Sequence, residues 1–309
     1  MATALAAPGA SAALDPADDL RRGHTWRLRW RTGWDRGMNY LLPLLFAVAI
    51  IPIGDLLYFI GSKAVPTLSV GVLTSGATYL SYDALAVPIV STFEFLALAT
   101  AIAVALGLFG GIATAEFLSE GAASWVRMSA NLLAGLPSVI VGYFGWFAFV
   151  LYFGWGEVML AGVLTLAFFM TPYVFRTADL AFSSIPRPIR EAAYGTGARP
   201  VQYILRVGTP IAFPQILTGV FLAMAIGLGE TAPILLTVQP GVVVPPNVFS
   251  PATYLTYLIY TGYQSPKGSL ALTLAFQAAF LVVVAVIVLN IVVRIIAARY
   301  RKRLEGLYQ

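Results

Sequence analysis

Six apolar stretches, each close to the roughly 20 residues needed to cross a bilayer, constrain this chain more than any motif it carries. They run at about Met38–Ile60, Ile89–Leu118, Asn131–Phe153, Val158–Phe182, Ile211–Val238 and Leu270–Ala298. Such runs leave little water-facing surface for a globule. Only 11% of the 309 residues are charged, 59% are hydrophobic, and the mean hydropathy is +0.82. Soluble domains carry about 25% charged residues, so an ordinary soluble enzyme is excluded. Prolines and glycines sit inside the runs: Pro43 and Pro52, Gly107, Gly110 and Gly111, Pro137, Gly142 and Gly145, and Pro172. Small residues permit close helix contacts, and proline is tolerated where neighbouring helices satisfy the freed carbonyls. The expectation is an all-α integral membrane protein with six transmembrane helices packed as a bundle.

Sorting the basic residues by side orients that bundle. Residues 1–37 form a polar leader, expected to be disordered up to Asp19 and then basic, with six arginines interleaved with Trp26, Trp30 and Trp34. The leader lacks the apolar core of a cleavable signal peptide. A transmembrane domain, 38–309, follows it. With the N-terminus inside, seventeen of the nineteen Lys and Arg residues fall on the inner side, leaving only Lys63 and Lys267 outside. That split predicts a multi-pass protein of a bacterial inner membrane with both termini cytoplasmic. The net charge of +5 is too sparse and too embedded in apolar sequence for a nucleic-acid surface, so lipid rather than nucleic acid is the expected surrounding.

Several chemistries are excluded. With no cysteine there is no thiolate, disulfide or Cys-ligated metal. The single histidine, His24, lies in the leader, which removes most His-based metal sites and a buried Ser-His-Asp triad. No Gly-Lys pair occurs, so the chain has no phosphate-wrapping P-loop of its own. Neither a catalytic residue nor a metal ligand is assigned.

The longest inner connection, residues 183–210, is patterned too specifically for a linker. Ser184 can cap a short helix, Pro186 and Pro188 suit its first turn, and Glu191, Ala192 and Ala193 continue it. Gly195 and Gly197 then break it, and Pro200 can start a second short helix through Val207. Two short helices on a glycine turn make a compact knob, with Arg190 and Glu191 able to pair at its rim and small alanines able to enter a groove. Glu191-Ala192-Ala193, followed by Gly197 and then Pro210 at fixed spacing, resembles the EAA loop of ABC-importer permeases; Val207 and Thr209 replace that pattern's Ile and Leu. The resemblance implies a type I importer permease (MetI-like) fold, with a cytoplasmic coupling helix between spans four and five. It also implies that Arg187, Arg190, Glu191, Ala192, Ala193, Gly195 and Gly197 engage an ATPase subunit.

Residues 227–237, GLGETAPILLT, are similar to a segment of the A-type permease of Pst phosphate importers, as are 133–145, 171–179 and 289–303. The core of this resemblance covers about 89–303. It implies translocation of inorganic phosphate, with another oxyanion (molybdate, tungstate or sulfate) as the alternative. It further implies a homologous second permease as heterodimer partner, two ATP-binding subunits and an extracytoplasmic substrate-binding protein. ATP and Mg would be bound by the partner ATPases, leaving no cofactor in this chain. One position departs from the family: Ile226 stands where an arginine is expected, four residues before Glu230. A secondary transporter or a membrane scaffold would have no need of the EAA loop.

Charge inside a membrane is costly and asks for a reason. Glu230, between Gly229 and Thr231 with Pro233 beyond, marks an expected helix interruption lining a cavity. It reads either as a pathway or gate residue or as half of an ion pair between spans. Arg176 reads as its partner in a bridge or as an anchor near the inner end of span four. Ser138 in span three and Thr231 complete the candidate pathway set. Glu94, Glu116, Asp55 and Asp179 fall near predicted span ends, within reach of interfacial water, and receive no transport role.

Overall fold

The computed structural model describes the backbone of residues 16–74 and 85–305, with side chains from 38 to 73 and from 85 to 300. The chain divides into two compact units, residues 1–59 and 60–309. The first is dominated by helix α1 (Pro16–Ala64), which runs through Pro43 and Pro52. Nearly every side chain from Met38 to Phe59 is exposed in this chain, as expected for a helix whose solvent is lipid. The helix starts at Pro16, so the stretch 16–37, read from sequence as a leader disordered to Asp19, has helical backbone. Proline suits a first helical turn, and no second proline interrupts the Leu-, Arg- and Trp-rich residues that follow. The expected disorder of residues 1–15 lies outside the described residues.

The second unit is all helical among the described residues. A single 3₁₀ turn (Val65–Thr67) and α2 (Val70–Thr74) precede α3 (Ala86–Glu116), α4 (Glu120–Ala134), α5 (Ser138–Gly145) and α6 (Met159–Ser183). Then come α7 (Arg187–Gly195), α8 (Pro200–Tyr203), α9 (Thr209–Gly229), α10 (Ala232–Leu235), α11 (Leu255–Tyr263) and α12 (Leu270–Glu305). Five helical stretches are long and apolar enough to cross a membrane: Met38–Thr67, Ala86–Glu116, Met159–Ser183, Pro200–Gly229 and Leu270–Tyr300. A sixth arises if α4 and the stretch Ser138–Tyr152 count as one span.

That third span is not the straight rod expected over Asn131–Phe153. Its two helices meet at 96°, with residues 131–134 on the far side of the bend. Pro137 has no N–H to continue the ladder and biases Leu136 away from helical backbone, while Gly135 closes α4 by bonding back to Asn131 and Leu132. Hydropathy is blind to this, because both arms of the bend are apolar. Beyond α5 the backbone widens into a π segment, Trp146–Tyr152.

Helix α6 is the centre of the unit. In its most apolar window 67% of residues are buried, against 6% for the last span. It packs most extensively on α3 and then α9, with α4, α5 and α10 also against it. The core joins Phe95, Leu96, Ala99 and Ala103 of α3 to Val163, Leu166, Met170 and Val174 of α6 and to Ala223 and Leu228 of α9. Gly107 and Gly111, one helical turn apart on α3, bring the two backbones together: a Cβ on Gly107 would sit 2.8 Å from the Phe175 nitrogen. At the other end of α6, the loop 239–254 returns to its start, where Met159 and Leu160 donate to the Ser250 and Val248 carbonyls.

Candidate coupling and pathway site

The loop 183–210 folds as a knob. Ser184 terminates α6 rather than capping the next helix: its hydroxyl donates to the Ala181 carbonyl at 2.9 Å, and Pro186 takes the N-cap position of α7. Gly197 ends the knob with φ +83°, a left-handed conformation that costs a Cβ-bearing residue about 1–2 kcal/mol. Its N–H and that of Ala198 close back on Tyr194 and Ala193. The second short helix does not stand alone. From Pro200 the chain continues through α8 and a π segment, Ile204–Gly208, straight into α9, so the knob is the membrane-side beginning of the fifth span.

Arg187, Glu191, Ala192, Gly195 and Gly197 are exposed on α7 and its turn, and Ala193 is half-buried. Arg190 behaves differently. The expected Arg190–Glu191 rim pair is absent, because neighbours on a helix point about 100° apart and do not face each other. Arg190 instead turns inward. Its Nη2 donates to Glu116 Oε1 at 2.8 Å and to the Phe182 carbonyl at 3.5 Å, and its Nε donates to the Tyr203 hydroxyl at 3.4 Å. Its guanidinium carbon lies 5.9 Å from the Tyr203 ring centre. Tyr203 and the Glu116 charge hold the Arg190 pKa above its ordinary value despite partial burial.

Glu116 is therefore not a carboxylate reaching interfacial water. Its side chain is 4% exposed and paired. The same correction applies to Asp179, at 7% side-chain exposure, whose two oxygens accept from Nε and Nη2 of Arg127 at 2.7 and 2.8 Å. This bidentate fork fastens α4 to α6 beside the bend. Neither pair could be found by local pattern, since the partners lie 74 and 52 residues apart; the available signal was only that each carboxylate sat in an apolar run.

The chain breaks at Glu230 as expected. Glu230 adopts extended backbone (φ −73°, ψ 137°) after α9, and Thr231 takes the N-cap position of the one-turn α10 without a side-chain cap. The Glu230 carbonyl accepts from the Thr256 hydroxyl at 2.9 Å, and α5, which begins at Ser138, packs against α10 just beyond it. The approach of α5 to α10 explains why Ser138 comes there: a Cβ on Gly142 would sit 2.7 Å from the Ala232 carbonyl oxygen. Ser138, Glu230 and Thr231 are thus brought together. A small cavity against Glu230 is lined also by Thr92, Phe95, Leu166, Tyr254 and Thr256. Sequence reading singled out none of the α3 and α11 contributors.

Arg176 does not join them. It lies on the exposed face of α6 and makes no ion pair among the described residues. The register explains the separation. Helix α9 runs antiparallel to α6, with Gly219 against Thr177 and Gly227 against Met170, so Glu230 falls level with Leu166, its neighbour in the cavity lining. Ten residues at 1.5 Å each put Arg176 about 15 Å further along the axis. An Arg176–Glu230 bridge is not formed in this structure.

A polytopic helical bundle with an exposed helical knob and a broken fifth span is the architecture of a membrane transport component. The chain belongs to the family of binding-protein-dependent transport system inner membrane components, which it matches over residues 107–304, and is an ABC importer permease. It is 35% identical over 195 residues to the phosphate transport system permease protein PstA 2 of Mycobacterium bovis, a match covering 62% of this chain. That match spans 64% of the relative's length, slightly under two thirds. With the probable phosphate transport system permease protein PstA of Methanocaldococcus jannaschii it shares 32% identity over 235 residues, covering 75% of this chain and 83% of that one. Its fold is similar to that of a chain in the crystal structure of a bacterial ABC transporter involved in the import of the acidic polysaccharide alginate (TM-score 0.59, 17% identity, covering 89% of this chain and 99% of that one). An inward-facing structure of the MetNI methionine ABC transporter is similar over 70% of this chain and 95% of its own (TM-score 0.57, 16% identity).

Proposed function

We propose that this chain is the permease subunit of an ATP-driven importer that passes inorganic phosphate across the inner membrane of a bacterium, both termini facing the cytoplasm. The observation that carries the reading is the similarity to phosphate permeases over a region that includes the broken fifth span and the EAA knob. The chain supplies a path and a lever and no hydrolytic chemistry. Two partner ATPases bind ATP and Mg, a homologous second permease completes the path, and an extracytoplasmic binding protein delivers the anion. Arg187, Glu191, Ala192, Ala193, Gly195 and Gly197 form the surface that enters an ATPase groove; the exposure of all but the half-buried Ala193 supports this role. Ser138, Glu230 and Thr231 line the path at the helix break, where irregular backbone is tolerated because it faces a cavity. Arg176, exposed and unpaired among the described residues, offers an anion contact nearer the knob.

The test is reconstitution with the neighbouring subunits and uptake of labelled inorganic phosphate, competed by sulfate, molybdate and tungstate. Competition by unlabelled phosphate alone is expected. Uptake blocked by molybdate or tungstate but not by phosphate replaces the substrate and leaves the permease reading in place. Glu191→Arg is expected to insert normally but to lose the ATP-binding subunit on gentle solubilisation; retention of that subunit with normal uptake refutes the coupling role.

A further inference from the structure

Arg190 is the one residue of α7 whose side chain reaches the ends of three membrane helices. Its guanidinium meets Glu116 at the last residue of α3, the Phe182 carbonyl near the end of α6, and Tyr203 at the start of the helical run that becomes α9. The Glu116 carboxylate is almost wholly buried, so this is not a loose surface pair. Tyr194 of α7 adds a ring contact to Tyr203, with centres 5.3 Å apart. Covalently α7 is joined only to α6 and α8. The ion pair adds a connection to α3, a helix remote in sequence, and α3 is the helix most extensively packed on α6.

From this geometry we propose that Arg190 and Glu116 form a clamp that makes α7 move as one body with the inner ends of α3, α6 and α9, so that force on the knob reaches the second span as directly as the fourth and fifth. Arg190 is thus a positioning residue facing into the permease and not an ATPase contact, a division of labour with its exposed neighbour Glu191. The inference rests on the proposed coupling role of α7. Its physical basis is the buried pair: with the carboxylate neutralised to an amide the charge attraction is lost, the guanidinium keeps only a neutral acceptor, a long contact to a hydroxyl, one to a carbonyl and a ring face, and α7 can pivot about its two covalent ends. A pivoting knob absorbs displacement in place of transmitting it.

The experiment uses the reconstituted complex and exploits the absence of native cysteine. Phosphate uptake per ATP hydrolysed is measured for the native chain, for Glu116→Gln, and for the double variant Glu116→Cys/Arg190→Cys before and after joining by a reducible bis-thiosulfonate linker. The clamp predicts that Glu116→Gln and the unlinked double variant still co-purify with the ATP-binding subunits and hydrolyse ATP, with uptake per ATP lowered about tenfold. Linking should restore the ratio, and reduction should lower it again. A ratio unchanged in Glu116→Gln, or unrestored by the linker, overturns the clamp, as does loss of the ATP-binding subunits from Glu116→Gln in a chain that inserts normally. A second measurement needs no substrate: spin labels on Leu118→Cys and Thr196→Cys should keep one distance between nucleotide-free and vanadate-trapped complexes, and lose that constancy when Glu116→Gln is added. A distance that changes with nucleotide in the native background refutes the clamp. A native complex that traps nucleotide but takes up no phosphate refutes the substrate reading alone, and a native chain that never retains an ATP-binding subunit refutes the coupling reading itself.

Discussion

Gly110 and Gly111 are adjacent, chemically identical and both inside a membrane helix, yet alanine should be destabilising at one and nearly neutral at the other. At Gly111 an added Cβ would lie 2.6 Å from the Phe175 carbonyl oxygen, 2.7 Å from the Ala178 Cβ and 2.8 Å from the Asp179 nitrogen. Two of these atoms are backbone and cannot rotate away, so α3 and α6 would have to part by about 1 Å, forfeiting a quarter to a half of the dispersion well along the contact. Overpacking of this kind costs about 3 kcal/mol at the upper end of the usual range. The replacement also gains about 1 kcal/mol of helix propensity, which leaves a net loss of about 2 kcal/mol, or roughly thirtyfold in the folding equilibrium. At Gly110 the nearest atoms are the Phe175 ring carbons Cδ2 and Cε2 at 3.2 and 3.6 Å. The ring can yield by a few tenths of an ångström, so the propensity gain roughly offsets the contact and the net change is about zero. Equilibrium unfolding in mixed micelles, followed by tryptophan fluorescence, measures the difference. If Gly111→Ala unfolds no more easily than Gly110→Ala, the close approach of α3 to α6 is not what fixes their spacing.

Two further predictions concern the knob and the bend. Arg127→Ala leaves the Asp179 carboxylate buried and unpaired and should cost about 3 kcal/mol. Asp179→Asn leaves a cation already 41% exposed, which can turn to water, and should cost about 1 kcal/mol; thermal unfolding in detergent should rank the two in that order, and the reverse order refutes the account. At Gly197 the positive φ predicts that Asn is tolerated better than Ala and Ala better than Val, with Gly197→Ala losing about 1 kcal/mol of local stability; hydrogen exchange of the α7 amides reads this, and equal protection in all three variants counts against it.

Much of this architecture is written into the sequence as runs of apolar residues, because a membrane helix must satisfy its own backbone over some 20 residues and so leaves a one-dimensional trace. The helix break at Glu230 leaves a trace too, in glycines before it and a proline after it. The bend at Pro137 is legible as a residue but not as an angle. Pairings across the bundle leave no local trace. Glu116 and Asp179 were placed near water because each lies near the end of a run, yet an end can be covered by a neighbouring element, and here α7 and α4 bring Arg190 and Arg127 to them. The separation of Arg176 from Glu230 is likewise a matter of antiparallel register, fixed by the meeting of Gly219 with Thr177 and Gly227 with Met170. A composition window cannot contain that register, because it depends on two helices at once.

The irregular stretches of backbone share a logic that bears on which residues are free to act. A broken helix in a membrane must find partners within the protein for the carbonyls and amides it releases. At the break after α9 those partners are present: Thr256 donates to the Glu230 carbonyl, the Glu230 N–H returns to Gly227, and the Thr237 hydroxyl donates to the Pro233 carbonyl. The Leu255 N–H, at the start of the neighbouring helix, is taken by Thr92 of α3. With the backbone satisfied this way, the Glu230 carboxylate is not consumed in holding the break together. The carboxylates at 116 and 179 have the opposite standing, each committed to an arginine at 2.7–2.8 Å. Glu116 and Asp179 are therefore structural fasteners, whereas Glu230 stands beside a cavity and makes no ion pair among the described residues. Charge at position 230 should therefore alter transport far more than stability, while charge at 116 or 179 should alter both.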